Sequence, residues 1–525
     1  MENNSQPQWP VTEEPKPLFD LSKRDAAFAL CAIFICIFLS VWGLFGGFAL
    51  GYTVTFLCLY GLLAFYFARR RKRPVFSLVC HILTLGNAVV FLCTTNGSVR
   101  FFGFVVSLLL MMVSLDGQVM GDTRGNRATA DLFFRALGTM SNAGVAVKSL
   151  YADRNGNKKT VGKALIGLLC AVPVLLVVVP LLCASDAAFL GMVNRFLTGA
   201  GSRAVNAGSM LLKVIFGAVI SLFVISYGFC LKTGRIAKRQ RKDFAGIENV
   251  YLVSFLSAIS VCYLLYLFSQ LAYFFSAFQG FLPHGGVTYA QYARKGFFEM
   301  CAIAMINLVL VFSAMLLARK QMGKVSLPIK MLATFIGAFT LLIIATAISK
   351  MVLYIDAYGM TVRRVTTSAF MVFLAIVFIS VILRIYIREI NIVKTALVAA
   401  GCIVLLLGTG NVNRICAKYN YESYMTGRLH SVDIVALYEL GDEGIPYIVK
   451  LADCKDPSLA KTAKQYLKQA IFQEYFNDVT TKDIFTESNL RAKERNNAIS
   501  QFSLPRARAY KSLYQYLTDH PSFPK

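Results

Sequence analysis

Charge is scarce in this chain. Only 16% of its 525 residues are Asp, Glu, Lys or Arg, while 56% are hydrophobic. A water-soluble chain of this length would split into several domains with far more polar surface. Histidine is scarcer still: there are four, and no two have metal-ligand spacing. H-E-x-x-H is absent, and so is G-x-x-x-x-G-K-[ST]. "GNKKT" at 156–160 lacks both the spacing and the second glycine, which argues against ATP-driven chemistry in this chain. No serine or cysteine hydrolase motif occurs. The sequence therefore offers no catalytic residue, no metal site and no cofactor. Thirteen cysteines contain no C-x-x-C, and eleven lie singly in or beside apolar runs, as small packing residues do. Cys416 and Cys454 stand apart, and a bridge between them is one expectation.

What is abundant is long apolar stretches. Eleven runs lie near 26–46, 48–68, 75–94, 100–120, 162–184, 208–231, 250–276, 297–318, 329–349, 367–388 and 393–409. A helix of about 20 residues crosses the roughly 30 Å hydrocarbon layer of a bilayer. The expected fold class is all-α: a polytopic transmembrane helix bundle of about eleven spans with a small extracytoplasmic C-terminal helical domain. The expected division is a cytoplasmic tail over 1–25, the bundle over 26–409 and the extracytoplasmic domain over 410–525. The first run does not read as a cleaved signal, because Glu2, Glu13, Glu14, Asp20 and Asp25 precede it and a second span follows almost at once.

Lys and Arg collect on the cytoplasmic side of short loops. With the amino terminus inside, the inner segments carry 29 of them and the outer loops 8. That asymmetry sets the expected threading in the plasma membrane, and an odd number of spans sends residues 410–525 outside. It also accounts for much of the formal charge of +26 through anionic headgroups rather than nucleic acid, since the basic loops are short and lack interleaved aromatics. In the long inner loop, "ADLFFRALGTM" places Phe133, Phe134, Leu137 and Met140 on one stripe, as in an interfacial helix or one packed under the bundle.

The tail reads as short helices. Gly441 and Gly444 separate the first from the second, Pro446 falls early in the second, and Asp456-Pro457-Ser458 starts the third. Another begins near "SLPRARAYKSLYQYL". A helical patch of this kind suits an envelope protein partner.

Charge near the bilayer centre costs roughly 2.5 to 3.5 kcal/mol per residue on insertion scales, so each ionic residue near a span needs a reason. Lys213, Gln270, Arg294, Glu299, Asp356, Arg363 and Arg364 all fall toward the outer leaflet in this threading. They predict an outward-facing polar vestibule in which Glu299 and Asp356 pair with Arg294, Arg363 or Arg364, or the arginines clamp an anionic ligand. The alternative is headgroup-depth snorkelling with local ion pairs. Gly359 fits a helix stop and Thr361 the cap of the next helix.

Three stretches carry a resemblance: "YAQYARKGFFEMCAIAMINL" (289–308), "YIDAYGMTVRRVTTSAFMV" (354–372) and "NVNRICAKYNYESY" (411–424). Together they resemble a family of multi-pass bacterial membrane proteins of unknown function, common in Gram-positive bacteria, over roughly residues 160–425. The motif of relatives appears here as Tyr292 to Phe298. Where relatives read Asn-Pro-Asp, this chain has Asn413-Arg414-Ile415. The resemblance implies topology and supplies no mechanism. Three readings stand: transport or export of a small anionic or amphiphilic solute through the outward-facing vestibule, a non-catalytic envelope sensor or accessory protein, and an enzyme acting on a lipid headgroup with Glu299 or Asp356 as base.

Overall fold

A computed structural model describes residues 19, 22–68, 74–120, 138–139, 142–151, 202–234, 246–279, 297–319, 325–387, 389–471 and 502–520. The run at 162–184, with Pro173 and Pro180, lies outside them, as do most of the 121–161 loop and Arg294. Among the described residues the structure is helical, apart from one isolated bridge between Ile247 and Ala318. The bundle comprises α1 (Lys23–Phe38, prolonged by a π-helical stretch Leu39–Leu44), α2 (Leu50–Tyr66), α3 (Val75–Cys93), α4 (Gly97–Met120), α5 (Ala143–Tyr151), α6 (Ser202–Thr233), α7 (Asn249–Gln279), α8 (Phe297–Leu317), α9 (Leu327–Tyr358), α10 (Val362–Tyr386) and α11 (Ile392–Thr409). The tail continues with α12 (Val412–Met425), α13 (Ile434–Tyr438), a 3-10 turn (Gly441–Glu443), α14 (Ile445–Ala452), α15 (Pro457–Ala470) and α16 (Leu504–Asp519).

Nine of these helices are long and apolar enough to cross a membrane among the described residues, and α2 is apolar but shorter. Ten of the eleven expected runs therefore coincide with a helix. Phe34, Phe65, Leu265 and Phe268 stand out from the helix surfaces more than half exposed. In water such a surface aggregates; in a bilayer acyl chains cover it. The protein is thus a polytopic membrane helix bundle.

Two compact units divide the chain: 1–41, 58–69 and 134–238 form the first, and 42–57, 70–133 and 239–525 the second. In the first, α1 and α6 run antiparallel. Phe28 lies against Gly228, Ile37 against Gly217, and the Ser40 hydroxyl donates to the Lys213 carbonyl at 2.6 Å. Glycines let the two backbones approach where a side chain would hold them apart. At one end of this pair sits the fully buried Asp25. Its carboxylate accepts from Ser22 N at 2.8 Å, Ser22 Oγ at 2.8 Å and Tyr66 Oη at 2.7 Å, and it pairs with Lys232 Nζ at 2.5 Å. Ser22 and Asp25 cap α1, while Tyr66 and Lys232 tie in α2 and α6.

The Lys232 side chain is 32% exposed and Asp25 is not exposed at all, so the two ends of the pair are unequal. Asp25→Asn frees a lysine that can turn to water. Lys232→Met strands an ionised carboxylate in the interior. We expect Lys232→Met to cost about 3 kcal/mol and Asp25→Asn about 1 kcal/mol. Thermal unfolding of the purified chain in detergent checks the order; equal costs would mean that the carboxylate does not depend on its ammonium partner.

In the second unit, α3 and α4 pack as an antiparallel hairpin, with Ser77 Oγ donating to Ser114 O at 2.8 Å and Gly103 facing Phe91. α11 lies on both, and Asn87 Nδ2 donates to Gly401 O at 3.1 Å. The remaining spans, α7 to α10, pack around α9, and a polar bridge joins α7, α8 and α9. Tyr263 Oη donates to Asn307 Oδ1 at 2.6 Å, and Asn307 Nδ2 donates to Thr340 Oγ1 at 2.9 Å. Such hydrogen bonds between helices have no water to compete with them in lipid.

Candidate functional site: a polar junction between bundle and tail

The chain turns sharply after α11. Asn411 has φ 54°, in the left-handed region that asparagine tolerates better than most residues. Its Oδ1 caps α12 by accepting from Arg414 N at 3.3 Å. Its Nδ2 is left to bond outward, and it does so twice: to the Cys93 carbonyl at the end of α3 (2.8 Å), and to Glu443. One side chain therefore joins the end of the bundle to the tail.

Around it several carbonyls at the end of α3 and in the adjoining turns are occupied. Arg100, at the start of α4, donates from Nε to Thr94 O (2.8 Å), from Nη2 to Phe91 O (3.2 Å) and from Nη1 to Gly47 O (3.0 Å). A guanidinium at a helix carboxyl end satisfies free carbonyls and the negative end of the dipole together. Asn96 Nδ2 donates to Asn413 Oδ1 at 2.9 Å, and Asn413 Nδ2 donates to Leu440 O at 3.1 Å. Leu50 N donates to Phe502 O at 3.1 Å, just ahead of α16.

Glu443 lies at the middle, 1% exposed. Arg508 Nη1 approaches its Oε1 at 3.4 Å, and Arg506 pairs with neighbouring Asp442 at 3.8 Å. Burial lifts the Glu443 carboxyl above the usual carboxylate range; Arg508, the Asn411 amide and Arg414 oppose that lift, and Asp442 adds to it. Beneath this layer the apolar core is continuous. Val90 and Val99 of the bundle pack in one cluster with Val412, Leu437, Ile448 and Leu513 of the tail.

A second turn braces α12 from the other side. Gly359 ends α9 with φ 78°, and Thr361 caps α10 by accepting from Arg364 N at 3.4 Å. The Met360 amide donates to Asn420 Oδ1 at 2.6 Å, and Asn420 Nδ2 returns a bond to Met360 O at 2.8 Å. A Cβ on Gly359 would fall 2.7 Å from Asn420 Oδ1, so only glycine fits that turn without displacing the pair.

The residues expected to line a vestibule are distributed as follows. Asp356 is exposed and accepts from Tyr419 Oη at 3.0 Å. Arg364 donates to the carbonyls of Tyr358 (3.1 Å) and Gly359 and stacks 4.0 Å over the Tyr354 ring, closing the end of α9. Arg363 and Glu299 are exposed, and no ion pair joins either carboxylate to Arg363 or Arg364 among the described residues. Lys213 belongs to the first unit. The Gln270 side chain and Arg294 lie outside the described residues, so an Arg294 to Glu299 pair does too. Cys416 and Cys454 are free thiols rather than a bridge. Cys416 is buried in the tail core, and burial pushes its thiol up to about 12.

Sequence reading did not single out Arg100, Asn411, Asp442, Glu443, Arg506 or Arg508. The signal available was Arg100, the one Lys or Arg in the α3–α4 hairpin. No group of three or more His, Cys, Asp or Glu side chains gathers as metal ligands would among the described residues. The chemistry available to the junction is that of a latch: charge-assisted hydrogen bonds over a shared apolar core.

A family model described as "Domain of unknown function (DUF4153)" matches residues 18–451. No curated protein and no solved structure matches the chain. The match extends past the expected 160–425 at both ends. It takes in Arg100, Asn411 and Glu443 but stops before α15 and α16.

Proposed function

The chain belongs to the family described as a domain of unknown function, DUF4153, and from that premise we propose that it is a non-catalytic accessory or sensor protein of the bacterial envelope. In this reading the bundle anchors the chain in the plasma membrane with its amino terminus inside. The C-terminal helices then lie outside, held in fixed register for a partner in the envelope. The charge asymmetry of 29 to 8 supports that threading.

The observation that carries the reading is the latch. A carrier must open each end of its bundle once per cycle. Here an opening at the tail end would break the Asn411 to Glu443 bond, the Glu443 to Arg508 pair and the core shared by Val90, Val99 and the tail. That arrangement suits a rigid platform, which passes strain or occupancy of the tail to the spans.

Export of a small anionic or amphiphilic solute is the second reading. Arg363 and Glu299, exposed and without an ionic partner among the described residues, favour it. One experiment separates the two. The full chain is reconstituted in vesicles, and passage of radiolabelled phosphate and of a short-chain fluorescent phospholipid is followed. The accessory reading expects no passage above empty vesicles. It also expects that a strain lacking the protein is restored by the wild-type chain and not by Glu443→Ala at equal membrane levels. Passage that falls with Arg363→Ala would overturn it in favour of export.

A further inference from the structure

α15 is amphipathic. Ala463, Leu467 and Ala470 are buried in the tail core, and the opposite face carries Lys461, Lys464 and Lys468, all exposed. Offsets of three and seven residues put these lysines on one stripe about 10 Å long. No Asp or Glu occurs in Pro457–Ala470, and no ion pair engages the three among the described residues. The positive end of the helix is already taken: Asp456 accepts from Ser458 N at 2.9 Å and Leu459 N at 3.4 Å. The stripe is therefore a row of uncompensated cations along the helix flank.

We propose that this stripe binds a polymer carrying repeated phosphate groups. Three observations choose that occupant. Beyond Pro457 at its start, the exposed residues of the helix are Lys, Gln, Ser and Thr, whereas protein interfaces are poor in Lys and need aromatic or aliphatic anchors at their centre. Lysine ammoniums act as mobile point charges, which suits a run of anions without fixed geometry. Lastly, α15 packs on α13 and α14, and α14 in turn packs on α12 and α16. α15 is thus packed chiefly on other tail helices rather than on the bundle, and its lysine face is turned away from them, open to a polymer. The stripe also lies beyond the family match at 18–451.

The inference deepens the accessory reading, since it names what the tail would recognise. The test uses the purified full chain in detergent and inorganic polyphosphate of uniform length as probe. Lys461→Gln, Lys464→Gln and Lys468→Gln together should lower affinity about tenfold or more at low salt and flatten its salt dependence. A control pair at the other end of the bundle, Lys330→Gln with Arg384→Gln, should leave both unchanged. Orthophosphate at equal phosphate concentration should not compete. Unchanged affinity in the triple variant, an equal loss in the control or full competition by orthophosphate would each overturn the proposal. Solute passage in vesicles would defeat the accessory reading without touching this result, and loss of this result would leave vesicle and complementation data standing.

Discussion

Glu443→Ala should release the tail from the bundle end at a cost of about 2 kcal/mol. The carboxylate is 1% exposed and bonds Asn411, so its removal leaves a buried amide hydrogen without a partner. It also strips Arg508 of its counter-ion, but that side chain is 40% exposed and water compensates much of the loss. Most of the cost therefore lies with Asn411 and the cavity. The pH dependence has a definite sign. Burial raises the Glu443 carboxyl above its usual range, so the docked tail holds this proton more tightly than the released chain does. The stabilisation that the proton brings is complete below the ordinary carboxylate pKa. It is lost as pH rises through the raised one. Docking should be firmest below the ordinary carboxylate pKa and weaken as pH rises above it. Glu443→Gln keeps an acceptor for Asn411 and cannot ionise, so it should stay within about 1 kcal/mol of wild type at neutral pH and lose the pH dependence. Hydrogen exchange of the α13 to α15 amides reads the docking. A wild-type pH profile as flat as that of the glutamine variant would show that Glu443 does not titrate in the latch.

The spans were legible because the bilayer imposes one requirement, about 20 apolar residues per crossing, and a sliding count reads it locally. The helix break at Gly359 and Thr361 was legible for the same reason, since turn chemistry is local. The tail helices α13 to α16 followed from Gly441, Gly444 and Asp456 and from the stretch that begins at Ser503. α12 was missed: an apolar run ending at 409 gives no sign that an asparagine in the left-handed region restarts a polar helix three residues on. The latch was illegible for a deeper reason. Asn411, Glu443, Cys93 and Arg508 meet across separations of 32, 65 and 318 residues, and nothing in any one of their neighbourhoods marks the others. Arg363 and Arg364 drew attention as charge beside a span. Arg364 bonds the carbonyls of Tyr358 and Gly359 at a helix end, a contact that the sequence alone does not reveal.

Gly217→Ala should be among the most damaging small substitutions in the first unit. A Cβ there would lie 2.6 Å from Ile37 Cα, 2.8 Å from the Cys36 carbonyl oxygen and 3.0 Å from Ser40 Cβ. Two of the three are backbone atoms, which have no rotamer to change, so α1 itself must retreat. Overpacking costs about 1 to 3 kcal/mol, occasionally more, and a clash with rigid backbone belongs at the upper end. Retreat of α1 also pulls on both ends of its contact with α6: the Ser40 bond to the Lys213 carbonyl, and the Asp25 to Lys232 pair. The effects of Gly217→Ala and Lys232→Met should therefore fall short of their sum, because the first already loosens what the second removes. Gly61→Ala is the control. Nothing lies within 4 Å of its Cβ position inside α2, and alanine's helix propensity predicts a gain of up to about 1 kcal/mol. Thermal unfolding of the four variants in one detergent measures all of this. If Gly217→Ala matches Gly61→Ala, the two helices are not held at backbone contact.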